Sequence, residues 1–220
     1  MYDYGLSTLE QYGLTADTYG RTRGGLVCRT EKGGVIIKEF KGSEKKLEYQ
    51  QELLEKLAEK GHKADVFLRN REGELVTKDR DNISYTIQKW FDGRECDARS
   101  AGDVLRSAGK LAEIHQAMTL EKECEYQGSE LEKAYIRHTQ EMRKIRKFIR
   151  KKHPSCEFET IYLNRVEDYL KSAETALEML KNSAFKELRK EAVEKCTVCH
   201  GEYNHHNVIF FRQGIAVTNF

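Results

Sequence analysis

The chain has 220 residues, enough for one domain or two small lobes, and its formal net charge of only +2 excludes a general affinity for polyanions. Charged residues make up 34% of the chain and there is a single proline, a composition typical of a helix-rich protein. No apolar run approaches the length that crosses a membrane, so a membrane is not an expected partner. Because the net charge is only +2, a specific nucleic acid is not an expected partner either.

The cellular compartment is predicted from the N-terminus and the cysteines. Residues 1–4 lack the basic and apolar regions of a signal peptide, which indicates a cytoplasmic protein. The six cysteines are scattered along a chain that is too large to need a disulfide framework. We therefore expect free thiols.

The first third predicts an antiparallel group of strands. A short helix is predicted at residues 6–12, and a glycine-bearing loop at residues 19–25 precedes strands at 26–30 and 35–40, which flank a Gly-Gly turn. Because strand side chains alternate between faces, Ile36 and Lys38 share one face. An exposed strand lysine is the ordinary interpretation of Lys38.

A helix is predicted to start at Ser43, a good N-cap without a full capping box. Its inward face is marked by apolar or small residues at helical spacing, namely Leu47, Leu54, Leu57 and Gly61. Gln50 falls on that face, whereas Glu48 and Glu52 point away from it. If the helix is rotated from this register, Glu52 takes the inward position instead.

A hairpin and a connecting strand follow the helix. Residues 65–68 and 74–76 flank the turn Arg-Glu-Gly at 71–73, which predicts a hairpin. Residues 83–94 then form an apolar strand that ends in Trp90, Phe91, Asp92, Gly93 and Arg94.

The middle of the chain predicts four helices, at residues 100–118, 131–153, 159–181 and 185–195, with Pro154 ending the second. His115 lies on the apolar side of the first, where a buried histidine bonded to backbone is the expected role rather than catalysis. The second helix is rich in Lys and Arg. That run is typical of a solvated face, although it could bind an anionic partner.

Cys196, Cys199 and His200 match the haem-attachment pattern Cys-x-x-Cys-His. Haem attachment requires export, which the N-terminus does not predict, and the motif lies in an apolar segment that reads as a strand. The same cysteines with His205 and His206 could form a zinc site if the segment curled into a knuckle. We instead predict free thiols in a buried strand.

The last segment combines a polar loop with a short hairpin. After His200, Gly201 and Glu202, four residues intervene before Asn207, and an apolar run, a Gly214 turn and residues 215–220 follow. Taken alone, it could be an ordinary polar turn between two buried strands.

Together these motifs resemble the aminoglycoside-phosphotransferase and choline-kinase type of kinase fold. That family has His-Gly-Asp, an Asn five residues after the Asp, a hairpin and a further Asp; here the corresponding residues are Glu202, Asn207 and Asn219. The spore-coat CotS-type branch also shows the hinge sequence at residues 90–94 and the Leu-Ala-x-x-His helix at 111–115. The resemblance covers roughly residues 20–120 and 195–220.

The resemblance implies an α+β, two-lobed protein-kinase-like fold. Residues 1–90 would form a small antiparallel β lobe that binds nucleotide, and residues 91–220 a helical lobe that carries the catalytic-loop hairpin. Family members continue for further helices, so we expect the helical lobe to be C-terminally truncated in this sequence.

The resemblance also implies roles for individual residues, with ATP and Mg²⁺ as cofactors. Lys38 would reach the phosphates and Ile36 would pack on adenine, beside the hinge residues Lys89, Trp90 and Phe91. Glu202 would be the base, while Asn207 and Asn219 occupy metal positions. Asn219 is neutral where the family has a carboxylate, so weak Mg²⁺ binding is expected. Gln50 replaces the Glu that pairs with the strand lysine.

Two functions follow from this resemblance. One is an ATP- and Mg²⁺-dependent small-molecule phosphotransferase with Glu202 as base. The other is a kinase-fold protein with weak or lost catalysis that serves as a binding or structural element, for example among the proteins of a spore coat. The departures at Gln50, Glu202 and Asn219 all fall in the phosphate and metal machinery, and they favour the second function.

Overall fold

The computed structural model describes residues 4–122, 124, 125 and 130–220. By its internal contacts the chain separates into two compact units, the first made of residues up to 124 together with 196–220 and the second of residues 125–195. The boundary expected near residue 90 divides the chain into lobes, whereas these units are separated by their internal contacts at residues 124 and 196. The lobe boundary therefore stays a prediction.

The first unit contains a five-stranded antiparallel sheet. Its strands are β1 (Ala16–Thr22), β2 (Gly25–Thr30), β3 (Gly33–Glu39), β5 (Val76–Lys78) and β6 (Ser84–Lys89), in the order β1-β2-β3-β6-β5. A 3₁₀ helix at Leu6–Tyr12 precedes them. The predicted strands at 26–30 and 35–40 are confirmed as β2 and β3, because their β-branched and aliphatic residues fill one core: Leu26, Cys28, Val35 and Ile37, with Ile87 of β6.

The glycine-bearing loop is the tight turn between β1 and β2. Thr22 pairs with Gly25, and Gly24 between them has a φ of 84°, in the left-handed region that glycine tolerates. A Cβ atom at Gly25 would lie 2.4 Å from the backbone oxygen of Ile37. Gly25 is therefore required because β3 approaches β2 closely at this point.

Helix α1 (Glu44–Glu59) begins as predicted, with the Ser43 hydroxyl accepting a hydrogen bond from the Lys46 N–H at 3.4 Å. The prediction that Gln50 is its inward polar group is wrong, because the buried amide is Gln51, with 2% exposure. Gln51 lies four residues after Leu47 and three before Leu54, at the centre of the buried stripe. It exchanges two hydrogen bonds with the backbone of Phe67, at 3.0 and 3.2 Å.

A second sheet joins distant parts of the first unit. Its strands are β4 (Lys63–Ala64), β7 (Arg94–Glu95), β8 (Val208–Phe211) and β9 (Gly214–Val217), in the order β4-β9-β8-β7. The predicted hairpin near the C-terminal end of the sequence is confirmed as β8 and β9. The predicted strand at residues 65–68 is not formed; there the chain makes only an isolated bridge between Phe67 and Gln88, and the preceding strand β4 ends at Ala64.

Helix α2 (Ala101–His115) packs differently from the prediction. His115 is exposed, so its expected burial is wrong, and Leu105 on the predicted apolar side is 73% exposed. The buried residues of α2 are Asp103, Ser107 and Ile114. Two polar residues face inward because each finds a partner there, Asp103 with Arg94 and Ser107 with the Cys96 sulfur.

The pairing of Asp103 predicts a pH-dependent contribution to stability. The Arg94 guanidinium binds both carboxylate oxygens, and the Asp97 N–H donates to one of them at 3.1 Å. These donors hold the pKa of Asp103 at about 2, below its ordinary value of 3.8. Because the folded pKa is the lower one, this stabilisation is present above about pH 4 and is lost as the pH falls towards 2.

Asp103→Asn is therefore expected to lower the free energy of unfolding at neutral pH, with the difference from wild type shrinking below about pH 4. Urea unfolding at several pH values measures both effects. Asp17→Asn, at an exposed position on β1, is the control and should leave the curve unchanged. A wild-type advantage that persisted undiminished in acid would contradict this assignment.

The second unit consists of α3 (Leu131–Lys152), α4 (Glu157–Lys181) and α5 (Phe185–Glu194), close to the predicted bounds. Basic residues of α3 are paired with glutamates of α4, in the contacts Arg143–Glu174 and Arg146–Glu167. This pairing favours the interpretation of the basic run as a solvated face. In the described part of the chain, no helix combines the length and apolar character needed to span a bilayer.

Candidate functional site

A cleft in the first unit collects most of the predicted site residues. Its lining includes seven of them, from β3, the hinge and the C-terminal loop and hairpin: Ile36, Lys38, Lys89, Trp90, Phe91, Asn207 and Asn219. Gln50 and Glu202 are the predicted site residues that do not line it. The cleft also contains Asp65 and Glu95, which the sequence did not single out as site residues, and His206, which it named only in the zinc interpretation.

Lys38 connects the five-stranded sheet to the C-terminal hairpin. Its ammonium group donates to Oδ1 of Asn219 at 2.6 Å, across 181 positions of sequence. Burial lowers the pKa of Lys38, and the negative charge of Asp65 opposes that shift. Two residues to which the resemblance gives roles in the nucleotide site therefore meet in the structure, while those roles stay predictions.

A chain of hydrogen bonds continues from Lys38 through two amides. Asn219 Nδ2 donates to Asn207 Oδ1 at 2.7 Å, and Asn207 Nδ2 donates to the backbone oxygen of Glu202 at 2.9 Å. Asn207 is buried, and Asn219 has a φ of 61°, a left-handed conformation that Asn tolerates better than most residues. Both amide oxygens thus already accept a hydrogen bond.

His200 holds the polar loop against the hairpin. Its Nδ1 accepts from the Glu202 N–H at 3.3 Å, and its Nε2 lies 3.0 Å from the Thr218 backbone oxygen. Burial lowers the pKa of His200, which favours the neutral ring that donates from Nε2. With both ring nitrogens occupied, His200 is not free to ligate haem iron.

The cysteines before this loop differ from the prediction. Residues 196–200 form an isolated bridge at Thr197 rather than a buried strand, and Cys199 is exposed. The six cysteines are unpaired, and no group of three or more potential metal-ligating side chains occurs among the described residues. The zinc interpretation with His205 and His206 therefore has no geometric support in the part of the chain that is described.

Glu202 contributes its backbone rather than its carboxylate to this arrangement. Its N–H donates to His200 and its carbonyl accepts from Asn207, while the side chain is exposed. The carboxylate is therefore free to change conformation, but in this structure it does not line the cleft.

Neither predicted partner from α1 contacts Lys38. Gln50 donates to the backbone oxygen of Phe220, and Glu52 accepts from the Glu121 N–H at 3.0 Å. The pairing of Gln50 with Lys38 is therefore wrong in this structure, and so is the alternative with Glu52. The physical reason is that both side chains lie beside other backbone groups whose hydrogen-bonding needs they satisfy.

Asp65 is the carboxylate that the sequence reasoning missed. It is 2% exposed, and its Oδ2 accepts from the Asn219 N–H at 3.0 Å and from Gln88 Nε2 at 3.2 Å. Burial raises the pKa of Asp65 to about 6, while the Asn219 N–H and the charge of Lys38 oppose the shift. The available signal was a lone acidic residue at the start of the apolar run at residues 65–68.

The fold is that of the protein-kinase-like aminoglycoside phosphotransferases. A solved aminoglycoside phosphotransferase from Alicyclobacillus acidocaldarius superposes with a TM-score of 0.73 at 14% identity, over 95% of this chain and 63% of that one. A spectinomycin phosphotransferase in complex with ADP and spectinomycin gives 0.65 at 16% identity, over 96% and 66% of the two chains. The chain thus spans less than two thirds of the length of these proteins.

A third solved structure, an amicoumacin kinase with AMP-PNP and Ca²⁺, gives a TM-score of 0.56 at 14% identity, over 98% of this chain and 63% of that one. No curated protein sequence matches the chain significantly. A family model described as spore coat putative kinase YutH matches residues 7–217. The chain therefore belongs to that spore-coat kinase family, as the CotS-type resemblance predicted.

Proposed function

We propose that the chain is a kinase-fold component of the spore coat that binds a nucleotide in the cleft and has weak or no phosphotransfer activity. The observation that carries this proposal is the position of Asn219. Its neutral amide lies between Lys38 and Asn207, where a kinase site needs an anionic metal ligand.

The donor set does not suit Mg²⁺. This ion prefers hard anionic oxygen ligands in octahedral geometry, and the amide oxygens of Asn207 and Asn219 are neutral and already hydrogen-bonded. Glu202 keeps the charge of a catalytic base, but its side chain does not line the cleft. We therefore expect the affinity for a nucleotide to depend little on Mg²⁺.

Nucleotide binding is supported by the hinge. Ile36 and Ile209 supply apolar walls to the cleft, beside Trp90 and Phe91. The backbone N–H of Trp90 donates to Gly34 at 2.9 Å, whereas the Phe91 N–H makes no hydrogen bond with the described residues. That free donor is suited to a purine nitrogen, and Lys38 is suited to the phosphates.

The first test is ADP affinity, measured by calorimetry in Mg²⁺ and again in excess EDTA. We expect binding in both buffers, with dissociation constants that agree within about threefold, a difference under 1 kcal/mol. Absence of binding in both buffers would refute the nucleotide part of the proposal. A tenfold or greater dependence on Mg²⁺ would refute the weak-metal part.

The second candidate function is an ATP- and Mg²⁺-dependent phosphotransferase acting on a small molecule. The exposed carboxylate of Glu202 favours it, because an exposed side chain is free to swing towards a substrate hydroxyl. Robust Mg²⁺-dependent ATP turnover that Glu202→Gln abolished would establish this alternative. The proposed partners under the first function are other coat or structural proteins, and the spore coat is the proposed location.

A further inference from the structure

Asp65 carries an unusual buried oxygen. Of its two carboxylate oxygens, Oδ2 accepts two hydrogen bonds, whereas Oδ1 is the one buried side-chain polar atom without a partner among the described residues. Buried polar atoms are nearly always hydrogen-bonded, so an unpaired carboxylate oxygen requires an explanation. Asp65 also lines the cleft that contains Lys38.

The position of Asp65 is fixed from two sides. It follows β4, which is held in parallel against β9 of the C-terminal hairpin. Gln88 of β6 binds both the backbone oxygen of Asp65, at 3.0 Å, and its Oδ2. Gln88 in turn pairs with Ile36 of β3, two residues before Lys38. The carboxylate is thus held in place by both sheets of the first unit.

A cation near Asp65 would offset the cost of burying its charge. A buried carboxylate costs several kcal/mol unless a charge or several donors compensate it. An asparagine could accept the same two hydrogen bonds through one oxygen without that cost. Lys38 lines the same cleft, and both residues bind Asn219: Lys38 donates to its Oδ1 at 2.6 Å, and Asp65 accepts from its N–H at 3.0 Å. The charge of Lys38 opposes the rise in the pKa of Asp65 that burial causes. The negative charge of Asp65, which an asparagine would lack, therefore serves to attract the ammonium group of Lys38.

We propose that Asp65 is the counter-ion that positions Lys38 in the nucleotide cleft, in place of a carboxylate from α1. The α1 side chains expected to do this are engaged elsewhere, Gln50 with Phe220 and Glu52 with Glu121. Asp65 also binds the Asn219 N–H, so one residue orients both the lysine and the residue that the lysine contacts. It is a positioning residue, and the inference rests on the proposed nucleotide binding.

A double-mutant cycle between Asp65 and Lys38 tests this inference. The variants are Asp65→Asn, Lys38→Met and the double variant, measured for ADP affinity and for urea unfolding without ligand. We expect Asp65→Asn to weaken ADP binding about tenfold when Lys38 is present and to have little effect beside Lys38→Met. Asp81→Asn, an exposed acid in the turn before β6, is the matched control and should change neither quantity.

The unfolding measurement separates failure of this inference from failure of nucleotide binding. Asp65→Asn should destabilise the protein when Lys38 is present, because it leaves a half-buried cation without its counter-ion. Beside Lys38→Met it should stabilise, because it removes an uncompensated anion. An equal effect in both backgrounds would overturn the inference, even if ADP does not bind at all. Lys38→Arg, which keeps the charge, provides a second background in which the destabilisation should persist.

Discussion

Asn219→Asp is expected to make nucleotide binding depend on Mg²⁺, with ADP binding about a hundredfold tighter in Mg²⁺ than in EDTA. A carboxylate at this position supplies full negative charge to a divalent ion, where the amide supplies only a dipole. It would lie beside Asn207, whose side chain already contacts position 219 at 2.7 Å. Calorimetry with ADP in the two buffers measures the change.

Asn82→Asp is the matched control for this experiment. Asn82 has the same φ of 61° as Asn219, so the substitution tests the cost of Asp in a left-handed backbone without placing charge in the cleft. It should leave ADP binding independent of the metal. If Asn219→Asp showed no greater dependence on Mg²⁺ than wild type, the loss of the metal-bridging carboxylate would not be what limits this site.

Lys38→Met is expected to weaken ADP binding by about ten- to a hundredfold, because a charge-assisted hydrogen bond to phosphate is worth about 1.5–3 kcal/mol. Adenosine, which has no phosphates, should bind the variant and the wild type equally well. Isothermal titration of both ligands separates loss of the phosphate contact from general damage to the cleft.

Lys32→Met provides the comparison for that variant. Lys32 is an exposed lysine in the turn between β2 and β3, and its loss should not change the affinity for ADP. Equal weakening of adenosine and ADP by Lys38→Met would mean that Lys38 supports the cleft rather than binding phosphate. Unchanged ADP affinity would remove Lys38 from the nucleotide site altogether.

The sequence by itself determined the local elements and their order. Alternation of β-branched residues identified β2 and β3, Ser43 and helical periodicity identified the start of α1, and Gly214 with its apolar flanks identified the β8–β9 hairpin. These signals depend on residues close together in the chain, and local propensity and burial act on them in the same direction. The motifs together, among them the spacing from His200 to Asn207 and Asn219, were also sufficient to predict the family.

Only the tertiary structure decided which side chains meet in the site. Periodicity on α1 predicted Gln50 as the inward polar residue, with Glu52 as the alternative, whereas packing on Phe67 turns Gln51 inward, about 100° of helix rotation from Gln50. His115 is exposed because the partners of α2 select Asp103 and Ser107 for its inner face. Local sequence analysis could not identify Asp65, because its interactions are with residues distant in sequence. It accepts a hydrogen bond from Asn219, 154 residues away, and it interacts with the charge of Lys38. The sequence therefore specified the frame of the site, while long-range packing and electrostatics selected the groups that act within it.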